Sequence, residues 1–170
     1  MSELNRTERL QPSLLDRLTD LAPEQRKESF EQQTLSGAQL RKAVLRDLGW
    51  LLNATNLDCA DTLPEQSAVA RSTLNYGIPG VAGSAAMEGR SLSLERQVTQ
   101  AIKTYEPRIR PDSLQVRSRP AQRSEGLPTL VLEISGELWA QPVPQPIFLE
   151  TAIELDTGVA VVTEAAKRRR

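Results

Sequence analysis

Histidine is absent from this chain of 170 residues, and cysteine occurs once, at Cys59. Without histidine there can be no Ser-His-Asp triad, no Cys-His dyad and no histidine-based zinc or iron site. A lone cysteine excludes an intramolecular disulfide and any thiolate cluster, and it fits a reducing compartment. Aromatic residues are scarce, with two each of Trp, Tyr and Phe, so the stacking walls of a sugar cleft are hard to build. No run of about 18 apolar residues occurs, so no segment reads as a membrane span. The opening stretch MSELNRTERLQPSLLDRL has no apolar core of signal-peptide type. A net charge of −1 gives no electrostatic case for nucleic acid or a membrane surface. The local exception is the Lys167-Arg168-Arg169-Arg170 terminus, which reads as a solvated tail. Only carboxylate chemistry remains open to an enzyme, no cofactor is implied, and the chain reads as cytoplasmic.

What is present is a soluble globular composition, 39% hydrophobic and 25% charged, at the size of one ordinary domain. After a flexible segment over 1–11, Ser13 caps a short helix over 13–21 whose apolar face is Leu14, Leu15, Leu18 and Leu21. Residues 22–35 read as a linker or weak helix with Phe30 as an anchor. Ser36 and Gln39 form a capping box, and Leu35 can staple onto Leu40, opening a helix over 36–53. Leu40, Val44, Leu48, Leu51 and Leu52 make its core stripe, with Arg41 and Asp47 off it and Trp50 widening the apolar arc as a core residue. Pro64 and Glu65 suit the first turn of a helix over 65–75, with Val69 and Leu74 inward and Gly77 just past its end. The Gly- and Ala-rich segment 80–90 fits neither a GxGxxG nor a P-loop pattern and reads as a flexible connection. Leu94, Val98, Ile102 and Tyr105 recur at helical spacing over 92–105.

Beyond residue 111 the period changes from 3.6 to 2. Strands are expected at about 114–118, 129–139, 147–155 and 159–163, with a loop over 118–128 and a bulge at Gly136. Pro142, Pro144 and Pro146 make a stiff connection, and Asp156-Thr157-Gly158 a tight turn. The fold class is α+β: N-terminal helices packed on a small antiparallel C-terminal sheet. Residues 12–163 read as one domain, followed by a basic tail over 164–170.

Two places stand out. Pro107 must end the helix over 92–105 and push Glu106 into an extended conformation, so Glu106 and Arg108 would project to one side. The plain reading is an exposed ion pair worth about 0–1 kcal/mol; the sharper one is a rigid, bidentate-capable handle for another protein. The second place is the sheet edge at Val159, Ala160, Val161 and Val162, whose backbone groups could take a strand from another chain or could be guarded by charge or by the tail. A glycosidase needs two carboxylates flanking a cleft. Glu133 and Glu137 fall on the solvent face of a strand, and nothing brings either toward Glu106.

Several stretches, in order, resemble one family. They are PSLLDRLTD at 12–20, LRKAVLRDLGWLLNA at 40–54, STLNYGIPG at 72–80, AIKTYEPRI at 101–109 and ISGELWAQPVPQPIFLETAIELDTG at 134–158. The family is TssE, the baseplate subunit of bacterial type VI secretion systems, related to the wedge proteins of contractile phage tails sometimes called lysozyme-like. The resemblance implies a structural protein without catalytic residues or cofactor, in the cytoplasm within a membrane-docked baseplate. It implies that Glu106, Pro107 and Arg108 meet the wedge proteins TssF and TssG, with TssK in the same assembly. It also implies that the edge at Val159, Ala160, Val161 and Val162 pairs with the sheath subunits TssB and TssC and seeds the sheath. Nucleic acid and direct membrane insertion are not implied. The alternative is a peptidoglycan-cleaving muramidase, which would lose activity on Glu106→Gln. On this reading Arg108→Ala weakens wedge assembly and leaves the fold intact, and a proline within 159–162 blocks sheath growth.

Overall fold

The computed structural model describes residues 12–19, 23–24, 35–57, 68–82, 90–124, 127–140 and 143–165. The expectations for 1–11, Phe30, Cys59, most of the 80–90 segment and the 166–170 end lie outside the described residues. Helix α1 is Leu14–Leu18, α2 is Gly37–Asn53 and α3 is Arg90–Tyr105, and a 3-10 turn at Thr73–Asn75 lies between the last two. Strands β1 (Gln115–Ser124), β2 (Leu127–Leu138), β3 (Gln145–Glu154) and β4 (Ala160–Glu164) follow. They form an antiparallel sheet in sequence order, a meander with β1 and β4 at its edges. The architecture is α+β, with the helices preceding the sheet in the chain.

Local chemistry sets the long helix. The Ser36 hydroxyl accepts from the Gln39 N–H at 3.2 Å, and the Gln39 side chain accepts from the Ser36 N–H at 2.8 Å, satisfying two orphan donors of the first turn. Leu40, Val44, Leu48, Leu51 and Leu52 are then all buried on one stripe. That stripe packs with Val98 and Ile102 of α3 against the inner face of the sheet, where Leu132, Ile134, Leu138, Ile147, Leu149 and Ile153 alternate inward. Each fully buried side chain of this kind contributes about 1.5–3 kcal/mol.

Several details differ from the sequence expectation, among them Val69 and Leu74, expected to face inward and found exposed. Residues 68–75 run as turns and a single 3-10 turn where a helix over 65–75 was predicted. Polar side chains compete for the backbone here: the Ser72 hydroxyl accepts from the Leu74 N–H at 3.3 Å, and the Asn75 amide donates to the Ala70 carbonyl at 3.0 Å. The predicted loop over 118–128 is mostly strand, because β1 continues to Ser124 and β2 starts at Leu127. The bulge falls in β1, between Arg119 and Gln122, and not at Gly136, which pairs regularly with Ile147. Glycine serves Gly136 differently: a Cβ there would stand 3.1 Å from the Ile109 Cγ2, so its absence lets β2 lie close to the 109 segment without displacing that side chain. Finally, Trp50 is half exposed and is not a core residue.

Helix α1 docks in an unusual way. Its leucines Leu14, Leu15 and Leu18 are exposed, and none of its residues is buried. Its polar side faces α2 through a 2.6 Å ion pair from Arg46 to Asp16, and of its leucines Leu15 borders a hollow with Trp50 and Leu51.

Candidate functional site

Pro107 ends the α3 ladder as expected, but Glu106 still belongs to it. The Glu106 N–H donates to the Ile102 carbonyl at 2.9 Å, and the Glu106 carbonyl accepts from the Ile109 N–H at 3.2 Å. Residues 106–109 are therefore a turn and not an extended run. The Glu106 and Arg108 side chains nevertheless meet, because the carboxylate folds over that turn. Its Oε1 accepts from the Arg108 backbone N–H at 3.1 Å and from the Arg108 Nε at 2.7 Å. Its Oε2 accepts from the Arg108 Nη2 at 2.5 Å, completing a bidentate pair. Beyond the turn the chain joins the sheet: the Arg108 carbonyl accepts from the Trp139 N–H at 2.7 Å, and Ile109 bridges Leu138.

The pair is not an exposed one. Glu106 is only 3% exposed, and the Arg108 side chain 22%. Nor is it isolated. Arg108 Nη2 also donates to Asp47 Oδ2 of α2 at 2.5 Å, Arg46 donates through Nε to Asp47 Oδ1 at 2.8 Å, and Arg46 Nη1 reaches Asp16 Oδ1 at 2.6 Å. Charges thus alternate from Glu106 through Arg108, Asp47 and Arg46 to Asp16, tying the α3 exit to α2 and then to α1. Arg46 also lies over the Trp50 ring at 4.8 Å. The Tyr76 and Tyr105 rings meet edge to face at 5.3 Å. Leu15, Trp50, Leu51, Tyr76 and Tyr105 join Asp47, Glu106 and Arg108 around a hollow of about 180 Å³.

The electrostatics follow from these contacts. Burial works against the charge of Arg108, but hydrogen bonding and attraction from Glu106, then from Asp47, outweigh it and hold the guanidinium above its ordinary value. The hydrogen bond from Arg46 holds the Asp16 carboxyl below the usual range, and the same bond raises Arg46. Burial, then the negative Asp47 and Glu106, raise the Tyr76 phenol. Among the buried donors that no described residue's acceptor takes is Arg108 Nη1.

Two consequences correct the sequence reading. Arg108→Ala cannot leave the fold untouched, because it would strand the Glu106 charge in the interior. And three members of the network, Asp47, Arg46 and Asp16, were missed as site residues. A signal for them existed, since Arg46-Asp47 is an opposite-charge pair flanking the buried stripe immediately before Leu48.

At the other predicted place, the backbone alternates. The Val159 carbonyl accepts from the Glu154 N–H and the Ala165 N–H donates to the Phe148 carbonyl, so odd-numbered residues of this segment turn their backbone groups toward β3. Even-numbered residues turn theirs outward. Ala160 is one of them, but its N–H donates to Asn53 Oδ1 at 3.0 Å and its carbonyl accepts from Asn53 Nδ2 at 2.8 Å. Of the four predicted residues, Val162 alone keeps outward backbone groups that no described residue takes. Glu164 is the next such position, and sequence reasoning missed it.

The carboxylates weighed for hydrolysis are held by arginines: Glu106 by Arg108, Glu133 by Arg119 and Glu137 by Arg110. Compared with known families, residues 38–143 match the model described as baseplate wedge protein gp25, well over half of the chain. No curated protein and no solved structure gives a match. The matched span runs from α2 through α3, the 106–109 turn and β2, and ends ahead of β3.

Proposed function

The chain belongs to the family of the baseplate wedge protein gp25, and we propose that it serves as the TssE-type subunit of a type VI secretion baseplate. A member of this family is a structural part of a baseplate of the contractile-tail kind and works in contact with other baseplate components. In the proposed role residues 12–163 act as one wedge domain. The wedge proteins TssF and TssG, with TssK beside them, dock at Glu106, Pro107 and Arg108. The sheath subunits TssB and TssC pair with the β4 edge, so that the first sheath ring is seeded there. The chain works in the cytoplasm, in a baseplate docked at the membrane by its partners; among the described residues no helix is long and apolar enough to cross a bilayer.

The observation that carries this reading is the locked Glu106–Arg108 pair. A buried ion pair is seldom kept for stability alone, since apolar residues of similar volume do as well or better. Here it holds a guanidinium rigidly at a helix exit, beside a hollow that joins Leu15, Trp50, Leu51, Tyr76 and Tyr105 to the charged Asp47 and Glu106. That combination suits an arginine presented to another chain.

Arg108→Lys is the test. Lysine keeps the positive charge beside Glu106 but loses the planar fork. The circular dichroism spectrum should be unchanged while co-purification with TssF and TssG falls sharply. Undiminished co-purification would remove the docking role from this turn. For the muramidase alternative, the carboxylates weighed, Glu106, Glu133 and Glu137, are each held by an arginine, and turnover of peptidoglycan by the purified chain would revive it.

A further inference from the structure

Asn53, the last residue of α2, makes three hydrogen bonds although it is exposed. Its Nδ2 donates to the Gly49 carbonyl at 2.7 Å and to the Ala160 carbonyl at 2.8 Å, and its Oδ1 accepts from the Ala160 N–H at 3.0 Å. The two bonds to Ala160 are those that the opposite residue of an added antiparallel strand would make. The carboxamide therefore takes both of the backbone bonds that the facing residue of a fifth strand would take. The Gly49 carbonyl fixes its orientation, and the helix backbone fixes its position.

Beyond it no described residue takes the outward backbone groups of the edge. Val162 and Glu164 carry the next two outward pairs of backbone groups. The Glu164 carboxylate is paired with Arg41 of α2 at 3.0 Å. We propose that Asn53 is a register stop for strand addition: it occupies the Ala160 position, so an incoming segment must pair at Val162 and Glu164 and end there. This rests on the reading of β4 as the sheath-pairing edge and adds to it which residues pair and what terminates the ladder. Because side chains repeat with period two, a stop of this kind also fixes which face each incoming side chain takes.

The test is amide hydrogen exchange on the full chain, alone and in complex with co-expressed TssB–TssC sheath, quenched and read on the released chain. In the free chain the Ala160 amide should exchange about tenfold or more slowly than those of Val162 and Glu164. In the complex Val162 and Glu164 should slow by about tenfold or more, with Ala160 unchanged. In Asn53→Ala, Ala160 should exchange fast in the free chain and become slow in the complex, because the added strand now runs on. Asn53→Ser, too short to reach Ala160, should behave alike and serves if the alanine variant folds poorly. Val162 and Glu164 slowing while Ala160 of both variants stays fast in the complex would overturn the stop and leave strand addition standing. No slowing of Val162 or Glu164 in the wild-type complex would overturn strand addition, and the stop with it.

Discussion

Arg108 and Asp47 are 61 residues apart in the chain, yet Arg108 Nη2 donates to Asp47 Oδ2 at 2.5 Å. This contact clamps the 106–109 turn onto α2. Removing Arg108 would therefore break two attachments at once and leave Glu106, 3% exposed, without a counter-charge. Arg108→Ala should cost about 3–5 kcal/mol. The double variant Glu106→Gln/Arg108→Ala should be clearly less destabilised than the single one, since no buried charge is left over. Urea denaturation of both variants decides the matter; a single variant within about 1 kcal/mol of wild type would show that water reaches Glu106.

A second prediction concerns pH and the β1 edge. Glu95 of α3 accepts from the Ser118 N–H at 2.6 Å and from the Ser118 hydroxyl at 2.5 Å. These bonds, the hydroxyl's first, hold its carboxyl below the ordinary value of 4.5. The folded protein thus takes up this proton at lower pH than the unfolded chain does. The stabilisation is complete above the ordinary glutamate value and is lost as pH falls through the lower, folded-state one. Glu95→Gln keeps an acceptor but not the charge, so at neutral pH it should cost about 1 kcal/mol. The difference from wild type should shrink toward zero on acidification, and a difference that is flat across pH would assign the cost to geometry and not to charge.

Gly77 allows a third. Its φ is +122°, and a Cβ there would stand 2.2 Å from the Ala54 carbonyl oxygen. The next residue, Ile78, donates its N–H to that same carbonyl at 2.9 Å and bridges Thr55. Gly77→Ala should therefore cost about 2 kcal/mol or more, through both strain and displacement of the bridge. Gly49→Ala, with nothing within 4 Å of the added methyl, is the contrast: placed inside α2 it should stabilise by about 0.5–1 kcal/mol. Thermal melts of the two variants should move in opposite directions.

The parts of the fold written in local chemistry could be read before any coordinates. The Ser36–Gln39 box, the stripe from Leu40 to Leu52 and the inward alternation of β2 and β3 each need only nearest neighbours in sequence. What could not be read depends on partners far along the chain. Asp47 lies off the core stripe and looks like a solvated residue until Arg108 arrives. Asn53 looks like a plain helix end until Ala160 is laid against it. The 65–75 segment misled because Ser72 and Asn75 take backbone groups that a helix would need. Leu14 and Leu18 misled in the opposite sense: their spacing is that of a core face, but both are exposed, and α1 is tied to α2 through Asp16 and Arg46.

The alternation of β4 decides how a proline should act there. The sequence alone allowed one anywhere within 159–162, but the two central positions are not equivalent. The Val161 N–H faces β3 within the ladder, so Val161→Pro should remove a structural bond and destabilise the chain by about 2–3 kcal/mol. The Val162 N–H faces outward, where proline is tolerated in an edge strand. Val162→Pro should fold with a loss of no more than about 1 kcal/mol and yet deprive an added strand of the first donor past Asn53. Sheath length, measured by electron microscopy in cells carrying each variant, should collapse for Val162→Pro and stay normal for Val162→Ala, which keeps the N–H. Normal sheaths on a well-folded Val162→Pro chain would mean that growth begins on some other surface, since no strand can pair at that position without the donor.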